Sequence, residues 1–209
     1  MKQIKTKDGS FTFFNEIYQE HYHSVSGALE EAVKKHVKPL NIENGMKILD
    51  FCFGLGYNAI VATKGHKNLK ITGLEVDSKI IKEIKFLEVP EEINPEFVSF
   101  RDLAEKFEIK DRNNNLIKLI MGDALQTIDQ LSANYFDRVF FDPFSPGKQP
   151  EMWSEEIFKK IYKKLKPGGR ISTYSCARWI RKNMEKANFI ILDGPVVGRK
   201  SPGTIGVKK

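Results

Sequence analysis

An α/β domain built on a mostly parallel sheet, with helices on both faces, is predicted by three features of the chain. Short apolar runs rich in Ile, Val and Phe alternate with segments whose apolar residues recur every three or four positions, the pattern of parallel strands joined by crossover helices. The stretch Ile48 to Ala59 reads I-L-D-F-C-F-G-L-G-Y-N-A. It is a buried strand running into Gly54 and Gly56, where missing Cβ atoms let the backbone turn and approach a ligand before a helix begins near Tyr57. Finally, Asp50, Glu75, Asp123 and Asp142 stand at or near the C-terminal ends of successive strands, the edge at which such sheets bind ligands.

The length of 209 residues suits one domain, 1–209, with an extension over 1–40 and the core over 41–209. No apolar run approaches the roughly 20 residues that cross a bilayer, and no apolar core follows the lysines of Met1 to Thr12 before Gly27, so neither a membrane span nor a secretory signal is expected. The cytoplasm is the expected compartment. Cys52 and Cys176 are the two cysteines, too few for a disulfide framework and without metal-ligand spacing, so no metal is expected. A formal charge of +7 fits either solubility or a polyanionic partner.

In chain order, Asp8-Gly9 precedes the aromatic and β-branched run Ser10 to Ile17, a short strand or hairpin. Tyr22-His23-Ser24 lead into apolar positions Val25, Ala28, Leu29, Ala32, Val33 and Val37, a helix capped by Ser24 or Ser26 and ending before Pro39. Strand Lys47 to Phe51, helix Tyr57 to Lys64 and strand Leu69 to Val76 follow. Glu75 lies about 20 positions past the glycine loop, the spacing at which a carboxylate reaches a ribose. Helices are expected over Ser78 to Leu87 and Glu96 to Glu105, and a hairpin over Phe107 to Asp111 and Leu116 to Met121 around an asparagine-rich turn. Asp123, after Gly122, reads as a ligand group and as the cap of a helix carrying Ala124, Leu125, Ile128 and Leu131, two roles that can coexist. Strand Asp137 to Phe141 delivers Asp142-Pro143-Phe144-Ser145-Pro146, a loop stiffened by its prolines. Helix Ser154 to Leu165 stops at Lys166-Pro167-Gly168-Gly169, and its pairs Lys159-Lys160 and Lys163-Lys164 read as a solvent face or as phosphate contacts. Strand Arg170 to Cys176, helix Trp179 to Ala187 and strands Phe189 to Leu192 and Thr204 to Val207 close the chain. The final pair, with no helix between its members, predicts one antiparallel edge strand.

So many carboxylates would repel a pyrophosphate, and the loop lacks both the third glycine and a basic residue. A cationic nucleoside suits them instead: Asp50 and the glycine loop near an amino acid moiety, Glu75 on ribose hydroxyls and Asp123 on an adenine amino group.

The chain resembles S-adenosylmethionine-dependent methyltransferases. More closely, it is similar to the methyltransferase family that completes 5-methylaminomethyl-2-thiouridine at the tRNA wobble position, including stand-alone members. The matching segments are D-G-S-F-T at Asp8, Y-H-S-V-S-G-A-L-E-E-A at Tyr22, F-G-L-G-Y-N at Phe53, G-D-A at Gly122, D-P-F-S-P at Asp142, P-E-M-W at Pro150 and K-P-G-G-R-I-S-T-Y-S at Lys166. The glycine and G-D-A motifs are class-wide, whereas Y-H-S, D-P-F-S-P with P-E-M-W, and T-Y-S are much more specific. Two segments depart from the pattern: Pro143 stands where the family typically has alanine, and Gly198-Arg199-Lys200 leads into Ser201-Pro202-Gly203 near the C-terminus.

The resemblance implies a Rossmann-like class I methyltransferase sheet and S-adenosylmethionine as cofactor. It implies cofactor contacts at Tyr22, His23, Asp50, Gly54, Gly56, Asn58, Glu75, Asp123 and Ala124. Asp142 and Phe144 would be catalytic, Asp142 holding the amine and accepting a proton, the Pro143 carbonyl orienting the lone pair and Phe144 packing on the substrate. The segment Ser145 to Trp153 would form the substrate-side wall. The partner would be the anticodon region of tRNA, and a monomer suffices for this chemistry. Bifunctional members also carry a flavin-dependent oxidase domain, for which 209 residues leave no room, so the aminomethyl substrate is expected from another source. A small-molecule amine methyltransferase or aminopropyl transferase, and a non-catalytic RNA-binding module, remain open on the same fold.

Overall fold

The computed structural model describes residues 2–197 and 201–209; Gly198-Arg199-Lys200 lies outside them. Eight strands form the central sheet: β4 (Lys47–Phe51), β5 (Lys70–Glu75), β6 (Glu108–Lys110), β7 (Leu116–Met121), β8 (Phe136–Phe141), β9 (Leu165–Thr173), β10 (Ile190–Val196) and β11 (Pro202–Val207). Their order is β10-β11-β9-β8-β4-β5-β7-β6. Five of them run parallel, from β9 through β7. Chain order reverses direction on either side of β4, which creates a crevice beyond its C-terminal end. The antiparallel edge is present, as β6 against β7. The closing pair differs from expectation in one respect: β11 inserts antiparallel between β9 and β10, so the reversed strand lies one place in from that edge.

Side chains alternate between two cores, as the strand period of two requires. Ile48 and Phe140 face one cluster, with Phe53, Tyr57, Ile60, Ile81 and Phe97. Leu49, Phe51, Val139 and Phe141 face the other, with Trp153, Phe158, Ile161, Ile180 and Met184. Helix Glu155–Lys164 begins at Ser154, whose hydroxyl caps the Ile157 amide, and its lysines find local partners: Lys159 with Glu155, Lys160 with Asp129, and Lys164 with the Leu131 carbonyl. The helix ends at Lys164, as expected, and Lys166 to Gly169 already belong to β9, with an irregular register against β8 and a left-handed Gly168.

Two expectations fail around the first helix. Neither Ser24 nor Ser26 caps it. Gly27 occupies that position, and the free amides are met from the N-terminal sheet of β1 (Gln3–Lys5), β2 (Phe11–Asn15) and β3 (Glu20–His21): Asp8 accepts from the Glu30 amide at 2.9 Å and Ser10 from that of Ala28 at 3.1 Å. Nor does the helix stop before Pro39. After Ala28–Glu31 it widens into π-helical turns over Ala32–Val37 and ends with Lys38–Leu40, Pro39 lying in this last turn. The chain leaves it through a left-handed Asn41. Within the wide turns hydrogen bonds run five residues back, as from Lys38 to Val33.

Candidate active site

At the C-terminal ends of β4, β5 and β8 lies a cavity of about 350 Å³, roofed by the N-terminal segment. Its floor is the turn after β4. Gly54 takes φ 54° there, and a Cβ on it would lie 3.6 Å from His23 Nε2 and 3.7 Å from the Tyr22 ring, so its missing side chain keeps this wall open. Gly56 is needed for a different reason: at φ 78°, a Cβ would lie 2.7 Å from the Phe53 ring. Between strand and turn, Cys52 adopts φ 67° and lines the cavity. Burial, with Glu75 and Asp142 nearby, pushes its thiol well up and keeps it protonated.

Glu75 ties the loop to β5. It accepts from the amides of Gly54, Val76 and Asp77, each at 2.8 Å; burial nevertheless pushes its carboxyl above the usual range, these bonds opposing the shift. Tyr22 donates to Asp77 and accepts from the Asn15 amide at 2.8 Å, and burial raises its phenol. His23 is buried against the Tyr57 ring, with Nε2 unpartnered, and burial pushes its imidazole down.

On the β8 side, Asp142 accepts from Asn58 Nδ2 at 3.1 Å and faces His36 Nε2 at 3.6 Å. Burial pushes its carboxyl up, but His36, His23 and Asn58 outweigh this and hold it well below the ordinary carboxylate range. The loop backbone is held from three directions. Tyr174 donates to the Pro143 carbonyl and Trp153 Nε1 to that of Phe144, both at 3.0 Å, while Glu20 accepts from the Ser145 amide at 2.9 Å. The carbonyl expected to orient a substrate lone pair therefore already has a donor. Phe144 stacks on Tyr18 at 4.7 Å and tilts against Tyr22 at 5.2 Å.

Of the residues singled out in the sequence, Tyr22, His23, Gly54, Glu75, Ala124, Asp142 and Phe144 meet on this cavity. Asp50, Gly56, Asn58 and Asp123 are not among its lining residues; the first three are buried and Asp123 is half-buried. Asp50 is fully buried with both oxygens unpartnered, and burial, then the charge of Asp142, push its carboxyl well up. Asp123 caps Leu125 at 2.9 Å, a role that can coexist with a ligand contact. Gln149 and Met152, from the segment expected to form the substrate-side wall, also line the cavity, whereas sequence reasoning missed Tyr18, Glu20, Asp77 and His36. For His36 a signal existed: it follows Ala28 and Ala32 at helical spacing, on the buried face.

Five carboxylates line the cavity, those of Glu20, Glu31, Glu75, Asp77 and Asp142, and no lysine or arginine does so among the described residues. This donor set fits S-adenosylmethionine, a cationic nucleoside with a ribose diol and an amino group, and is hostile to a phosphate-bearing cofactor. An open sheet with a glycine turn after its first core strand, an acid ending the second and a ligand cavity at the switch point is a Rossmann-like nucleoside-binding fold. A family model described as S-adenosyl-L-methionine-dependent methyltransferase matches residues 85–209, and the chain belongs to that family. It is 33% identical to an uncharacterised protein of Methanocaldococcus jannaschii, over 98% of this chain and 59% of that protein. It is 27% identical to the tRNA 5-methylaminomethyl-2-thiouridine biosynthesis bifunctional protein MnmC of Leptospira interrogans, over 96% of this chain and 34% of that one. The crystal structure of MNMC2 from Aquifex aeolicus superposes with a TM-score of 0.83 at 28% identity, covering 98% of this chain and 69% of the other. No helix among the described residues is long and apolar enough to cross a membrane.

Proposed function

We propose that this protein transfers a methyl group to the primary amine of 5-aminomethyl-(2-thio)uridine at the tRNA wobble position, giving 5-methylaminomethyl-(2-thio)uridine, and that it does so in the cytoplasm on the anticodon region of tRNA. The observation that carries this reading is Asp142: an anionic carboxylate on the wall of a cationophilic cavity, beside an aromatic platform of Phe144, Tyr18 and Tyr22. The names of the MnmC relatives support the choice of substrate.

In this reading S-adenosylmethionine supplies an electrophilic methyl group on a sulfonium. Gly54 admits its amino acid end, Glu75 accepts from the ribose hydroxyls, Ala124 packs on the base, and Tyr22 and His23 cover the site. Asp50, Gly56 and Asn58 support these contacts from behind, and Asp123 accepts from the adenine amino group. A wobble base must leave its stack to enter such a pocket, and Phe144 offers it an apolar surface. Asp142 accepts a hydrogen bond from the amine and holds it in line. An alkylammonium ordinarily loses its proton near about pH 10 and a carboxylic acid near about 4. Across that gap a carboxylate such as Asp142 orients the amine well and stores a proton poorly.

The test is methyl transfer from labelled S-adenosylmethionine to tRNA carrying the aminomethyl nucleoside, read by nucleoside mass spectrometry. Conversion is expected with wild type, and Asp142→Ala should abolish it, a loss of about 10²-fold or more, with cofactor affinity within about threefold. Transfer to a small amine and not to tRNA would overturn the reading, as would an absence of cofactor binding.

A further inference from the structure

An ordinary carboxylate is a poor store for the proton that the amine must lose, and His36, a buried side chain behind Asp142, has no part in the reaction described above. It projects from the π-helical turns of Ala32–Val37 between two strand ends, with its side chain fully buried. Its Nδ1 is 3.0 Å from Ser172 Oγ on β9; its Nε2 has no hydrogen-bond partner and lies 3.6 Å from Asp142 Oδ2. That gap is about half an ångström beyond a hydrogen bond, and such contacts often tighten only when substrate binds. A serine hydroxyl can accept from an Nδ1 proton whatever the ring's charge. The charge change then falls on Nε2, the atom facing Asp142. A π-turn inside a helix, placing one polar side chain in an apolar core, is a frequent mark of function.

We propose that His36 is the positioning partner of Asp142 and the holder of the proton released by the substrate ammonium, an inference that rests on the amine-methylation reading above. The proton passes from the ammonium to the Asp142 carboxylate and on to Nε2, leaving an imidazolium beside a carboxylate and a neutral amine with a free lone pair. When the N–C bond forms as the C–S bond breaks, the product leaves as a secondary ammonium, its positive charge being that of the former sulfonium. The stored proton returns to water once the cavity opens.

Magnitudes favour this division of labour. A lone carboxylate titrates about six pH units below an alkylammonium, whereas an imidazole titrates about three and a half below it, so an imidazole is the better acceptor by more than two units. The groups facing His36 are Asp142 and Ser172, with His23 across the cavity wall and the Phe140 ring 6.0 Å away. On its own helix, the neighbouring Lys35 is paired with Glu31.

The experiment is single-turnover methylation of aminomethyl-uridine tRNA between pH 6.5 and 10 by wild type, His36→Gln and Ser172→Ala, with cofactor affinity and melting temperature measured alongside. For His36→Gln the rate at pH 7 should fall about 10–100-fold, with cofactor Kd and tRNA KM within about threefold. It should converge on wild type above about pH 9.5, where the amine loses its proton unaided. Ser172→Ala, which keeps the imidazole and the strand, should move the profile the same way by a smaller amount. An unchanged His36→Gln profile overturns the inference, and so does a rate loss equal at every pH that tracks a lower melting temperature. If wild type methylates no aminomethyl-uridine tRNA, the functional reading falls and the inference with it; active wild type with an indifferent His36→Gln overturns the inference alone.

Discussion

Asp50 and Asp142 are both buried carboxyl groups near the cavity, and their surroundings drive them in opposite directions. Burial, then the charge of Asp142, push Asp50 up, whereas two histidines and Asn58 hold Asp142 down against the same burial. The sign of the pH dependence follows. A carboxyl whose folded value is raised costs stability as pH rises past its unfolded value of about 4, because the unfolded chain ionises while the folded one cannot. Asp50→Asn, which mimics the neutral acid, should therefore melt higher than wild type at pH 7 and close to it at pH 4, in thermal melts without cofactor. A variant that is less stable at pH 7 would mean that Asp50 is ionised in the fold.

At the scale of elements, the N-terminal sheet supplies what the first helix lacks. Asp8 accepts from Thr6, Ser10 and the Glu30 amide, and its carboxyl is lowered because these bonds outweigh partial burial. Asp8→Ala should cost about 1–2 kcal/mol, as loss of a helix cap does, in chemical denaturation at pH 7. That difference should fade as pH falls below about 4, since a lowered carboxyl stabilises only while ionised. The two loop glycines also separate by experiment. Gly56→Ala meets Phe53 as well as a left-handed backbone and should destabilise by about 2–4 kcal/mol. Gly54→Ala has room for its Cβ on the cavity side, so it should cost only about 1–2 kcal/mol while weakening S-adenosylmethionine binding, read by calorimetry.

At the scale of the molecule, we propose that residues 1–40 and 41–209 act as one domain. Tyr57 donates to the Phe11 carbonyl, Glu20 holds the Ser145 amide, and Asp8 caps a helix packed on the sheet. A single calorimetric transition is expected, with the calorimetric enthalpy equal to the van't Hoff value; a separate early transition on deleting Tyr18 and Glu20 contacts alone would argue for two units. The charge of +7 coexists with an acidic cavity, so a polyanion would be drawn to the outer surface while the pocket selects a cationic group. If the proposed substrate is tRNA, its affinity should fall steeply between 50 and 200 mM salt, by about tenfold or more, in filter binding or anisotropy, whereas cofactor affinity should change little.

The sequence by itself determined the alternation of strands and helices, the turn at Gly54 and Gly56, and the acids at the strand ends, because periodicity, glycine conformation and strand-end chemistry are local properties. It also placed seven of its eleven candidate residues on one cavity. Only the tertiary structure decided which acids face the ligand space and which stand behind it, since that depends on register: Asp50 pairs across β4 with Gly73 and Phe140 and stays inside the sheet. Likewise, β11 could not be placed between β9 and β10 from a run of residues whose partners lie far along the chain. The same holds for His36. Its meeting with Asp142 and Ser172, 136 residues away for the serine, follows from the strand order and from a π-turn that resets the helix phase, and neither is written in any local pattern.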